Sequence, residues 1–171
     1  MVQRRDALFI IGAAPLTLAG CSEAAVTTFP DAASAARAIE ALAGGWRSTG
    51  AWSLPQILNH AAQSIEYSMQ GFPQPKSALF QATLGKAAFA VFQLRGQMNH
   101  SLSEPIPGAP TLAAGDVLQP AIARALKALR DFDAYTEPLA PHFAYGALDK
   151  AQFLRAHLMH LANHWTEITK T

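Results

Sequence analysis

Charge is what this chain has least of. Asp, Glu, Lys and Arg together make up 15% of its 171 residues, and the net charge is +1. A balance this close to neutral excludes the basic footprint that nucleic acids or acidic membranes require. Cysteine is nearly absent too. Cys21 is the only one, so no internal disulfide can form. There is no internal repeat, heptad run or low-complexity tract, which sets aside solenoids and coiled coils. The apolar run Ala7 to Ala19 falls short of the roughly 20 residues a transmembrane helix needs. What remains is an alanine-rich chain in which half the residues are hydrophobic. It is long enough for one domain with a real core and suited to helices.

The first residues read as a targeting segment. Arg4 and Arg5 form a positive start, an apolar stretch follows, and it ends in Leu18-Ala19-Gly20-Cys21. This ending resembles a bacterial lipobox, in which the cysteine is lipidated and becomes the new N-terminus. The arginine pair followed by Asp6 resembles a twin-arginine export signal, a route that carries folded proteins. The alternative is a general secretory signal with incidental arginines. The expected organisation is a signal peptide over 1–21, a tether over 22–30 and a helical domain over 31–171. The expected location is the cell envelope, lipid-anchored through Cys21 on the periplasmic face of a bacterial membrane.

Capping signals divide the domain. Asp31 predicts a helix that stops at Gly44-Gly45, and Trp46 to Ala51 reads as a connector. Ser53-Leu54-Pro55-Gln56 is a capping box with proline in the first turn, opening a helix to about Gly71. Phe72-Pro73-Gln74-Pro75 breaks the chain. Leu79, Phe80, Leu84, Ala88 and Phe92 predict a helix from Ser77 to Arg95. The stretch 96–115, rich in proline, is long enough to be a functional lid. Asp116 is expected to cap the next helix, which reaches Tyr135. Asp149 with Gln152 forms a second capping box and opens a last helix to about Thr169.

That last helix holds half of the six histidines, in His157-Leu158-Met159-His160-Leu161-Ala162-Asn163-His164. At about 100° per residue, His164 lies near +40° and His157 near +60° from His160. The three therefore share one stripe at the edge of an apolar face. Histidines at i and i+4 can hold one metal ion together, although a lone helical histidine is more often a packed core residue. His60 bears the same relation to the core of its own helix, with Ser64 and Tyr67 on its stripe. His100 lies in the long loop, where a solvated side chain is the expectation and a lid residue reaching the site the alternative. His142 is expected either to cap the last helix or to pack on Trp52, the alternative being a place beside the pocket that the family resemblance given below implies.

Three segments together resemble the DinB-like superfamily of four-helix-bundle metalloproteins, in a branch of unknown function. They are Trp52 to His60, Pro141 to Leu148, and His160-Leu161-Ala162-Asn163-His164. The superfamily pattern takes one histidine from the second helix and an H-x-x-x-H pair from the last, and His60, His160 and His164 fit it in order. The resemblance covers residues 31–169. It implies an all-α four-helix bundle, with an additional short N-terminal segment or helix and a long loop before the penultimate helix. It also implies a divalent metal (zinc, nickel or iron) on His60, His160 and His164, with open positions for water or substrate. Glu66, Tyr67 and Glu167 are candidates to orient the ligands. His157 is the candidate catalytic residue, as a general base or supporting group, or else the ligand in place of His160.

Relatives in that superfamily include thiol transferases and isomerases, but an exported protein would not meet cytosolic thiol cofactors. The expectation is therefore a metal-dependent hydrolase or transferase acting on an unknown small molecule. The alternatives are a non-catalytic metal- or ligand-binding envelope protein and a bundle whose histidines only pack. No nucleic acid partner is expected, the membrane is met through the lipid anchor only, and homodimerisation is left open.

Overall fold

The computed structural model describes residues 28–171. The expected signal peptide, Cys21 and most of the expected tether lie outside the described residues.

The chain is mostly helical. In order it forms α1 (Ala32–Ala41), β1 (Trp46–Ser48), α2 (Leu54–Gln70), α3 (Ala78–Phe80), a π-helical turn (Gln81–Gly85), α4 (Lys86–Arg95), α5 (Leu118–Ala134), α6 (Lys150–Trp165) and β2 (Ile168–Lys170). None of the described helices is long and apolar enough to cross a membrane.

Local chemistry sets the helix starts. Asp31 accepts a hydrogen bond from Ser34 N at 2.6 Å and caps α1. At α2, Gln56 Oε1 reaches back to Ser53 N at 2.9 Å. At α6 the box is reciprocal: Gln152 N donates to Asp149 Oδ1 at 2.8 Å, and Asp149 N donates to Gln152 Oε1 at 2.9 Å. Phe132, Phe153, Ile39, Leu42 and Leu58 are fully buried and form the centre between α1, α2, α5 and α6, while Met159 packs with Phe89 and Met98 in a second cluster. On the flank of the α2–α5 seam, Arg124 grips Glu66 with two hydrogen bonds, of 3.0 and 2.6 Å.

Four expectations need correction. Asp116 does not cap α5. Val117 holds the cap position, and the Asp116 carboxylate instead accepts from Asn59 Nδ2 at 2.8 Å, tying the loop to α2. Residues 46–51 are not a plain connector, and α6 does not reach Thr169. Trp46, Arg47 and Ser48 pair antiparallel with Lys170, Thr169 and Ile168. A ladder of three residues between chain ends so distant leaves no local periodicity to read. Finally, Leu79 and Leu84 face outward, 74% and 66% exposed. The π-helical turn breaks the 3.6-residue phase, so it is Gly85 and Phe89 that point inward.

Gly85 is where this helical run meets the rest of the molecule. A Cβ at that position would overlap the carbonyl oxygen of Ala144. We therefore expect Gly85→Ala to destabilise the fold by about 1–3 kcal/mol, the usual cost of forcing an extra carbon against backbone. Urea unfolding followed by circular dichroism checks this, and an unchanged midpoint would contradict the contact.

Candidate metal centre

The phase of α6 carries His157, His160 and His164 into the interior, and α2 brings His60 against them. His60, His160 and His164 are all buried, and their donor atoms lie within 4.8 Å of one another. His60 Nε2 stands 3.1 Å from His160 Nε2, and His164 Nε2 stands 3.3 Å from it. Two nitrogens at about 2.0–2.1 Å from a tetrahedral zinc ion are separated by about 3.3 Å, so this spacing suits a shared ion. It does not suit mutual hydrogen bonding. His160 Nε2 carries either one proton or one lone pair and cannot serve both neighbours well.

Burial also sets the protonation state. Desolvation, helped by the neighbouring His100, lowers the pKa of His60 to about 4. Desolvation, helped by His60 and His100, lowers that of His164 to about 3. Burial, with His60, His164 and His100 beside it, holds His160 well below the usual imidazole range. The three rings are neutral at pH 7, the form in which imidazole ligates a metal. Trp52 closes one side, edge-on to His60 at 4.9 Å and stacked on His164 at 6.0 Å.

The other sequence candidates take different places. His157 is outside the trio. Its Nε2 lies 3.3 Å from Ser68 Oγ, and its ring packs against Phe132 and Phe153. Desolvation lowers its pKa to about 3. His100 is not a solvated loop residue. It is half-buried, with its ring 5.0 Å from His160 and 5.9 Å from His164. Its Nδ1–H donates to Ser101 O at 2.7 Å, and its pKa is lowered, mainly by desolvation. The loop holds it there because amide side chains pin that loop down. Gln56 donates to Leu112 O, Gln63 to Pro110 O and Asn163 to His100 O. The same loop explains why α6 is buried on all sides from Ala156 to His164, Asn163 included, and not along one stripe.

His142 neither caps α6 nor touches Trp52. It sits in a tight turn closed by His142 N to Gly146 O at 2.8 Å and Gly146 N to His142 O at 3.1 Å. Its ring stacks on Tyr145 at 4.2 Å, and burial lowers its pKa to about 3, with His157 adding to the shift. The proposed orienting groups do not orient the trio. Glu66 is committed to Arg124, and Nδ1 of both His60 and His164 has no hydrogen-bond partner among the described residues.

Beside the trio lies a cavity of about 170 Å³, lined by His60, His160, His157, His142, His100, Ser64, the exposed Lys76 and Glu104, and a set of apolar side chains. Sequence reasoning found the metal-type donors but ranked a place at the site for His100 below a solvated one. Its only sequence signal was its place in a long, proline-rich loop.

The chain matches one protein family over residues 23–171, described as "Protein of unknown function (DUF1569)". The chain belongs to this family. No curated protein and no solved structure matches it. The DUF1569 match takes in the whole histidine cluster and every wall of the cavity.

The buried imidazoles give a pH dependence whose sign is fixed. Their folded pKa values lie below the unfolded value of 6.5. The unfolded chain therefore takes up protons first as pH falls. Stability is full above pH 6.5 and drains as pH falls through the range down to about 3. We expect the metal-free protein to show a lower urea midpoint at pH 5.0 than at pH 7.5. Equal midpoints would mean that these rings are not buried and neutral.

Proposed function

We propose that this chain is an exported lipoprotein whose domain is a DinB-like four-helix bundle, and that it binds one divalent metal ion through His60, His160 and His164. The observation that carries the reading is the convergence of three neutral Nε2 atoms at 3.1 and 3.3 Å, a spacing that mutual hydrogen bonds explain poorly. The packing of α1, α2, α5 and α6 supports the bundle. The lipobox-like Leu18-Ala19-Gly20-Cys21 supports the anchor.

Three imidazoles leave coordination positions open, which favours a reactive site over a closed structural one. When bound, the ion would supply Lewis acidity and lower the pKa of a ligated water or thiol. The chain's own contribution is to exclude bulk water with the 96–117 loop and Trp52, and to present neutral imidazoles to the cavity. We assign the protein to the metal-dependent hydrolases or transferases of small molecules. The runner-up is an envelope protein that binds metal or ligand without turnover, favoured by a donor set made of histidines alone.

The purified chain should hold about one divalent ion by elemental analysis. We expect His60→Ala, His160→Ala and His164→Ala each to lose most of it, while His157→Gln, which keeps a nitrogen near Ser68, retains it. Full occupancy in the three alanine variants would remove the ligand assignment and the enzyme reading with it.

A further inference from the structure

Two of the histidines around the cavity are held by hydrogen bonds that fix which nitrogen carries the proton. His142 Nδ1 accepts from two backbone amides, Ala144 N at 3.1 Å and Tyr145 N at 3.2 Å. An atom accepting from amides carries no proton, so in the neutral ring the proton is on Nε2. The turn that supplies those amides is itself clamped, because Gln81 Nε2 donates to Phe143 O at 3.1 Å and Lys76 N donates to the same carbonyl at 2.8 Å.

His157 is fixed through a different chain of bonds. The Ser68 hydroxyl donates to Ile65 O at 2.6 Å. Its single proton is then spent, so toward His157 Nε2 the same oxygen can only accept. His157 therefore carries its proton on Nε2 and keeps a lone pair on Nδ1.

Neither His142 Nε2 nor His157 Nδ1 finds a partner among the described residues. Yet neither is a sealed, unpaired atom, as His60 Nδ1 and His164 Nδ1 are. Both rings line the same cavity. The cavity thus offers one fixed donor N–H from His142 and one fixed acceptor lone pair from His157. The remaining wall includes Met98, Ile106, Phe143, Tyr145 and Ala156, while Lys76 and Glu104, both exposed, add one charge of each sign.

From this pairing we infer that the cavity binds a neutral carboxamide group carried on a small apolar body, with the carbonyl oxygen accepting from His142 Nε2–H and the amide N–H donated to His157 Nδ1. A carboxylate has only acceptors, so one of its oxygens would face the His157 lone pair in a water-poor site. The size agrees, since about 170 Å³ is below the roughly 300–1,000 Å³ of drug-sized pockets. The inference rests on the proposed site for its meaning as substrate recognition, but its geometry does not need the metal.

Nitrogen-15 NMR of the histidine rings tests it on the full chain, first after chelator treatment and then loaded with zinc. Both His142 and His157 should be protonated on Nε2. Butyramide should shift both ring signals and bind at least about tenfold more tightly than butyrate, the factor one unpaired buried polar contact is worth. His142→Asn keeps an acceptor for the two turn amides but withdraws the donor from the cavity. It should weaken butyramide binding by a similar factor without changing metal content or the helical circular dichroism signal. A proton on Nδ1 of His142, butyrate binding as well as butyramide, or undiminished butyramide binding in His142→Asn would each overturn the inference. Because binding is read in the metal-free protein, a failure here leaves the metal assignment standing. Loss of that assignment would, in turn, leave this result intact.

Discussion

Three buried imidazoles cannot satisfy one another. Each neutral ring has one N–H and one lone pair, and His160 Nε2 faces two other Nε2 atoms at once. Desolvation blocks the simple remedy of protonating one of them. An interior that tolerates this arrangement carries a continuing cost in unpaired polar atoms, since His60 Nδ1 and His164 Nδ1 are buried as well. A shared cation uses all three lone pairs together, and the remaining features around the site are consistent with that role. The capping boxes set the rotation of α2 and α6, the pinned loop covers the cavity, and Trp52 closes the side against His60 and His164.

The loop shows how sequence and packing combine here. Its prolines rule out a helix, and its length alone would leave it free. Gln56 and Gln63 on α2 and Asn163 on α6 convert it into a fixed wall by donating from their side-chain amides to its carbonyls. These side chains sit on helix surfaces that would otherwise face water. Their burial requires hydrogen bonds, and the loop carbonyls supply them. His100 reaches the site as a result, although nothing in its immediate sequence calls for it.

Much of the site was legible because it depends on short-range rules. The i, i+4 spacing of His160 and His164 and the boxes at Ser53 and Asp149 act within one or two turns of helix. The placement of His60 was legible only through the order of motifs along the chain. What stayed hidden was set by distant contacts. The β1–β2 pairing joins residues at opposite ends of the domain. The π-helical turn serves the close approach of Gly85 to Ala144. Asp116 forgoes a cap because Asn59 offers a better-placed donor. His142 does border the cavity, but it neither caps α6 nor packs on Trp52. Its neighbours at positions two and three ahead bind its ring, and only the folded turn shows that.

The central claim is that His60, His160 and His164 hold a single ion. Anomalous diffraction at the zinc edge, from crystals grown with the metal, tests it most directly. The account predicts one peak, with Nε2 of each of the three histidines about 2.0–2.1 Å away. A peak elsewhere, or one coordinated by His157 in place of His160, would contradict it.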